Sequence, residues 1–183
     1  MARIVTVEEH ELSKEAAEDY AALKAQGKLS NMKQALLRDH RTFKAFIGWY
    51  DSWASLADAV GNRAATVYAH AISTTNSCQL CSLFFINDLR ELGLDPASFE
   101  TTEAEAELQE LATQIVKDPT SVSDDLFERL HHRYSDDQIV VIVGFAAQMI
   151  ATNNFNSVLQ IDVDRRLLPL KDEFHPATWR NNR

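Results

Sequence analysis

The stretch Thr74-Thr75-Asn76-Ser77-Cys78-Gln79-Leu80-Cys81-Ser82-Leu83-Phe84-Phe85 joins two helical runs and holds the only two cysteines of the chain. Thr74 to Ser77 are four polar, cap-prone residues, a natural stop between a helix over 63–74 and one from 78 to about 92, where Gly93 closes it. The cysteines stand at i and i+3 of that second helix's first turn. Such a pair closes into a disulfide with little backbone movement and reopens by thiol exchange. The unpaired N–H groups of a helix start lower the pKa of a thiol placed there, which favours Cys78, the nearer of the two to the helix end. Leu80, Leu83, Phe84 and Phe85 supply an apolar setting that raises a thiol pKa, so two inert buried thiols are the competing reading.

Outward from this turn the signals are helical throughout. Ser13 caps a helix reaching Gln26 before Gly27, and Ser30 opens one toward Arg38. Asp39 caps a third that carries Phe43, Phe46, Trp49, Tyr50 and Trp53 at three- and four-residue intervals, one apolar stripe for a core or a subunit contact. Gly61-Asn62 breaks the chain. Thr102 with Glu105, and Ser135 with Gln138, make capping boxes, and Asp118-Pro119 ends the helix between them. Ser123 or Asp124 starts a short helix to His132, and the longest and most apolar helix runs over about 136–159. No stretch sustains a strand's alternation and no long period repeats. The expected fold is an all-α single domain over 1–183, with a core at 35–162, a helical N-terminal extension at 1–34 and an irregular tail at 163–183 that packs on its own domain or on a neighbouring subunit.

The chain has 183 residues, enough for one full core, and a formal net charge of −9 with no Lys/Arg cluster, which argues against nucleic acid as partner. Residues 139–151 are strongly apolar, yet shorter than the ~20 a bilayer span requires, so a buried core helix and no membrane contact are expected. Acids near the start occupy the place of a secretory signal's apolar region, and a cytoplasmic protein is expected, where a cysteine pair is reactive or metal-binding rather than a permanent staple.

Taken together, the helix at 63–74, the Asn76-Ser77-Cys78-Gln79-Leu80-Cys81 turn, and Tyr134-Ser135-Asp136-Asp137-Gln138-Ile139-Val140 leading to Asn153-Asn154-Phe155-Asn156-Ser157 resemble the alkylhydroperoxidase D-like branch of the carboxymuconolactone decarboxylase family. Asp39-His40-Arg41-Thr42-Phe43-Lys44-Ala45-Phe46 is similar to that family's lead-in helix. The resemblance implies a helical bundle that assembles as a homo-oligomer, a trimer or hexamer. It also implies a peroxidase in which Cys81 attacks the hydroperoxide, Cys78 resolves the product, and an external dithiol, lipoyl-type or a protein thiol, reduces the disulfide. The family places a Glu twelve residues before the first cysteine and a His four after the second; here those positions hold Thr66 and Phe85.

His70 lies one turn after Thr66 on the same helix face and is the candidate substitute base, with Thr66 beside it. Cys81, Cys78, His70 and Thr66 are therefore the candidate catalytic residues. The adjacent His131-His132 lacks zinc-site spacing, so no metal is expected, and no phosphate loop or other bound-cofactor motif occurs. Asp88, two turns after Cys81, and the run Glu103, Glu105, Glu107, Glu110 read as solvated faces. Asn153, Asn154 and Asn156 require partners if buried, met by capping, subunit contacts or a polar substrate. Two other functions stand beside the CxxC oxidoreductase: a non-catalytic helical oligomer binding a small apolar ligand or a protein partner, and a lactone decarboxylase-like enzyme.

Overall fold

The capping residues set the helix boundaries. In the computed structural model, which describes residues 2–179, Ser13, Ser30, Asp39, Thr102, Ser123 and Ser135 each accept a backbone N–H from the first turn they precede. Met1 and 180–183, the end of the expected tail, lie outside the described residues. The helices are α1 (Lys14–Ala25), α2 (Asn31–Leu36), α3 (His40–Ile47), α4 (Tyr50–Val60), α5 (Asn62–Thr75), α6 (Gln79–Glu91), α7 (Glu103–Lys117), α8 (Asp124–Arg133) and α9 (Asp136–Leu159). Short 3₁₀ segments form at Glu9–Glu11 and Arg165–Glu173, and no strand occurs among the described residues.

At the centre lies α5, packed against α4, α6, α7 and α9. Its sequence explains the position: Ala64, Ala65, Val67, Tyr68, Ala69 and Ile72 are buried, so the helix is apolar around most of its circumference, and its alanines let neighbours approach closely. The Tyr68 hydroxyl reaches the Ile142 carbonyl of α9 at 3.3 Å, giving a fully buried phenol its hydrogen bond. Leu108 and Leu111 of α7, Leu126 and Leu130 of α8, and Ile142 and Phe145 of α9 complete this core. A second cluster, Val7, Ala16, Leu36, Leu37 and Phe43, packs the N-terminal extension.

Four expectations change in the folded chain. The aromatic stripe does not run along one helix. The chain breaks at Gly48 and Trp49, where a glycine weakens the helix and the Phe46 and Trp49 rings pack 4.5 Å apart. The break serves two clusters at once: Phe43 enters the N-terminal one, and Trp53 meets Phe85 and Phe145 in the main core. The tail is not irregular over 165–173. A 3₁₀ helix there accommodates Pro169 and buries Leu167 against Leu80, Leu83 and Ile86 of α6.

The acidic run of α7 is not a solvated face. Glu105 and Glu107 are buried, and the run forms a ladder of ion pairs: Arg63–Glu105 at 2.7 Å, Arg133–Glu107 at 2.9 Å, Arg133–Glu103 at 3.1 Å and Arg129–Glu110 at 2.7 Å. Helix packing brings arginines from α5 and α8 onto the acids, a pairing no local pattern encodes. Finally, α9 is buried along one face only. Ile139, Ile142, Phe145 and Ala146 point inward, while Val140, Val143 and Val158 are exposed.

Candidate functional site

The turn carrying the cysteines is built by two overlapping caps. The Ser77 N–H bonds the Thr74 carbonyl and the Cys78 N–H bonds the Ser73 carbonyl at 3.0 Å, the paired bonds that end a helix in a left-handed residue. Ser77, with φ 58°, is that residue, where glycine is the commoner choice. Its hydroxyl accepts the Ala177 N–H at 3.0 Å, and the Trp179 indole N–H donates to the Thr75 carbonyl at 3.0 Å, so the C-terminal segment straps the turn. The chain then enters α6 at once, with Cys78 itself as the N-cap and Cys81 in the first turn.

Both thiols are free and buried, but their surroundings differ. Cys78 accepts a hydrogen bond from the Cys81 thiol, and this is the strongest influence on it. Burial opposes that effect, and the N–H groups of Cys81 and Leu80 and the Ser157 side chain add to it; the net result is a Cys78 pKa below the ordinary thiol range. Cys81 is held above that range by its bond to Cys78 and by burial, against a donor from Asn156. Of the two, Cys78 is therefore the more acidic thiol and Cys81 the one that holds its proton.

Cys81, and not Cys78, lines a cavity of about 870 Å³. Its walls are mostly aromatic and aliphatic, including Phe46, Trp49, Trp53, Phe84, Phe85 and Phe145. Asp88 lines this space too, half-buried rather than solvated, and burial raises its carboxyl pKa. Lys33 and Asp164, brought together from the extension and from the segment after α9, are both buried there. The Lys33 ammonium donates to the Lys28 carbonyl at 2.9 Å and lies 5.0 Å from the Tyr50 ring, and burial lowers its pKa. Asp164 accepts the Asn31 N–H at 2.8 Å through one oxygen only, and burial raises its pKa.

Three cavity-lining side chains keep a buried oxygen without a hydrogen-bond partner: Gln148 Oε1, Asn156 Oδ1 and Asp164 Oδ2. Leaving such an atom unsatisfied costs about 1–3 kcal/mol, so three acceptors around one cavity call for donors from a ligand or from water. Asn156 is nearest the chemistry, with Nδ2 3.2 Å from Cys81 Sγ and 3.4 Å from Met32 Sδ. Asn153 and Asn154 instead face α5 and the turn after it, bonding Ser73 and Asn76 at 3.4 Å each.

The other sequence candidates lie outside this cavity wall. Thr66 is buried, and its hydroxyl donates to the Asn62 carbonyl at 2.9 Å. His70 Nε2 is 3.3 Å from Thr74 Oγ1, which in turn lies 3.5 Å from the Ser82 hydroxyl beside Cys81. Burial lowers the His70 pKa to about 4, so it is neutral at physiological pH. Phe85 stacks on Trp53 as cavity wall. His131 and His132 are exposed, His131 3.4 Å from Asp136, and no group of three His, Cys, Asp or Glu among the described residues is placed to hold a metal. Asn156 was visible in the sequence only as an amide in an apolar helix. Lys33 and Asp164 carried no signal, because nothing local brings residues 33 and 164 together.

No protein-family model matches the chain, and no curated protein matches it by sequence. Solved structures do match in shape. One is an uncharacterized peroxidase-related protein from Silicibacter sp. TM1040, at TM-score 0.69 and 13% identity over 85% of this chain and 88% of that one. Another is described as an alkylhydroperoxidase AhpD core, an uncharacterized peroxidase-related protein from Ralstonia eutropha JMP134, at TM-score 0.66 and 16% identity over 91% of this chain and 94% of that one. The chain therefore has the alkylhydroperoxidase D-like helical fold.

Proposed function

We propose that the protein is a thiol-dependent oxidoreductase that reduces hydroperoxides through Cys78 and Cys81. The observation that carries this reading is the division of labour within the pair: Cys81 lines a large, mostly apolar cavity, while Cys78 sits at the helix N-cap outside that lining, hydrogen-bonded to Cys81. The fold shared with peroxidase-related proteins supports the same reading.

In the proposed reaction Cys81 passes its proton to Cys78 and attacks the terminal oxygen of the hydroperoxide. An S–O bond forms, the O–O bond breaks, and the sulfur is oxidised by two electrons as the peroxide is reduced by two. Water protonates the departing alkoxide, and the hydroxide left over balances the proton released when the pair ionised. Cys78 then displaces water from the sulfenic acid to give the Cys78–Cys81 disulfide, which an external dithiol, lipoyl-type or a protein thiol, returns to two thiols. In this scheme Cys78 is the base that a separate relay supplies elsewhere. The chain His70–Thr74–Ser82 takes the role of a buffer of hydrogen bonds behind Cys81, and Thr66 that of a support for α5. A reducing, cytoplasmic setting suits the pair, and a homo-oligomer closing on the exposed valines of α9 is part of the proposal.

A second reading rests on the unpartnered cavity oxygens: a binding protein that holds an apolar ligand with donor groups and does no redox chemistry. Stopped-flow thiol loss with hydrogen peroxide and with an organic hydroperoxide, read by mass spectrometry, separates the two. Rapid oxidation to an intramolecular disulfide, lost in Cys81→Ser, is expected. Thiols reacting no faster than free cysteine leave the binding protein standing.

A further inference from the structure

Asn156 occupies a position that its partners define closely. It is 3% exposed, near the end of α9, and its Nδ2 faces two sulfurs, Cys81 Sγ at 3.2 Å and Met32 Sδ at 3.4 Å. A primary amide has two N–H donors and one carbonyl acceptor. Thioether sulfur only accepts, and the Cys81 sulfur, whose own hydrogen is turned to Cys78, accepts here too, so the two sulfurs take both N–H groups and orient the amide. The carbonyl oxygen is then left over, buried and without a partner, in a side chain that, like Cys81, lines the cavity.

Resting on the peroxidase reading above, we propose that Asn156 is the substrate-orienting residue of this site, its amide bridging the attacking sulfur and the hydroperoxide. The Nδ2–H stabilises the Cys81 thiolate as it forms. The Oδ1 accepts the terminal O–H of the hydroperoxide, which sets the distal oxygen beside Sγ and turns the O–O bond away, toward the aromatic cavity. An amide holds its donor and acceptor side by side in one plane, so sulfur, amide and O–H close into one ring of contacts. During attack the S–O bond forms and the O–O bond breaks while the transferred hydroxyl keeps its bond to Oδ1, so the sulfenic acid is born in a satisfied site and the alkoxide leaves into the cavity. No proton moves through Asn156. Cys78 serves as the base in this scheme, and Asn156 adds the orientation of thiol and substrate at a site that has Thr66 and Phe85 at the relay positions. Gln148, more than two turns earlier on α9 and lining the same cavity, offers its unpartnered Oε1 as a further acceptor for a hydroxylated substrate body.

The test compares two reactions of Cys81 in wild type, Asn156→Leu and Asn156→Asp, each followed against pH: oxidation by cumene hydroperoxide, and alkylation by iodoacetamide, which has no O–H to orient. Asn156→Leu is expected to move the pH midpoint of alkylation upward and, at matched thiolate fraction, to slow peroxide oxidation by roughly 10²-fold while alkylation changes less than about threefold. Asn156→Asp keeps the acceptor but adds charge beside the sulfur. It is expected to raise the midpoint further, yet to hold the ratio of oxidation to alkylation within about tenfold of wild type. An unchanged ratio in Asn156→Leu, or a ratio in Asn156→Asp as low as in Asn156→Leu, overturns the orienting role. If Asn156→Leu fails to fold by circular dichroism, the Asp variant alone decides. A wild type that hydroperoxide oxidises no faster than free cysteine overturns the peroxidase reading itself, which is a different result.

Discussion

Glu105→Ala removes one carboxylate from two tasks at once, and the structure sets the size of the loss. One task is local: Glu105 accepts the Thr102 N–H at 2.9 Å and, with Thr102, closes the capping box that starts α7. The other is tertiary: it accepts two bonds from the Arg63 guanidinium of α5, at 2.7 and 3.2 Å. The carboxylate side chain is 3% exposed and the guanidinium 44%, so only one partner is desolvated. The half-exposed Arg63 finds water once its partner is gone. The full ~3–5 kcal/mol of breaking a buried pair therefore does not apply. A lost cap of ~1 kcal/mol and a charged hydrogen bond of ~1.5 kcal/mol or a little more give an expected destabilisation of about 2–3 kcal/mol. For a chain of this length that lowers Tm by roughly 4–12 °C. Urea denaturation of wild type, Arg63→Ala, Glu105→Ala and the double variant measures it. The cycle should return a coupling of about 1.5 kcal/mol, since the capping part of the loss does not depend on Arg63. Acid sensitivity supplies the sign. Burial pushes the Glu105 carboxyl up, but the bonds from Arg63 and the Thr102 N–H outweigh it and hold the pKa below the usual range. A depressed folded pKa gives stability that is present above the unfolded value of ~4.3 and lost as pH falls through the folded one, and Glu105→Ala should flatten that acid limb. A loss under ~0.5 kcal/mol would falsify the placement of Glu105 in a desolvated pair.

Further outcomes follow from the site. Cys78→Ser should leave the first oxidation of Cys81 detectable but stop disulfide closure, so that a dimedone adduct on Cys81 accumulates; a disulfide-independent return to thiol would contradict the resolving role. His70 should show no NMR titration between pH 5.5 and 8, because burial holds its pKa near 4. The unfolded chain takes up that proton at ~6.5, so stability falls as pH drops from there toward 4, by up to ~3 kcal/mol, and His70→Asn should remove this part of the acid loss. Peroxide rates should likewise lack an inflection near pH 6.5, and finding one that vanishes in His70→Asn would return the base role to that residue. Val140→Glu on the exposed face of α9 should lower the mass seen by light scattering if the chain self-associates there; an unchanged assembly would place the contact elsewhere.

The helix map and the cysteine turn were legible in the sequence for a physical reason. Caps act within four residues: the bonds that pair Ser135 with Gln138 and Thr102 with Glu105 lie within one helical turn, so their spacing in the chain is their spacing in space. The cap role of Cys78 and the end of α5 have the same local origin, although Ser77 in a left-handed conformation is a residue choice that composition does not advertise. Only the tertiary structure decided the rest. Glu105 reads as solvated until α5 swings Arg63 onto it, and the aromatic stripe reads as one helix until its two halves meet different clusters. His70 shares a helix face with Thr66 as its spacing requires, but whether that face meets the cavity depends on how α5 rolls against α6, which periodicity leaves free. The cavity itself joins Lys33, Cys81, Asn156 and Asp164, residues distant along the chain; burial at that junction lowers the Lys33 pKa, raises that of Asp164, adds to the bond from Cys78 in raising that of Cys81, and leaves one oxygen each of Asn156 and Asp164 without a partner. Local hydrogen bonding is written in sequence spacing; burial is a property of the packed whole.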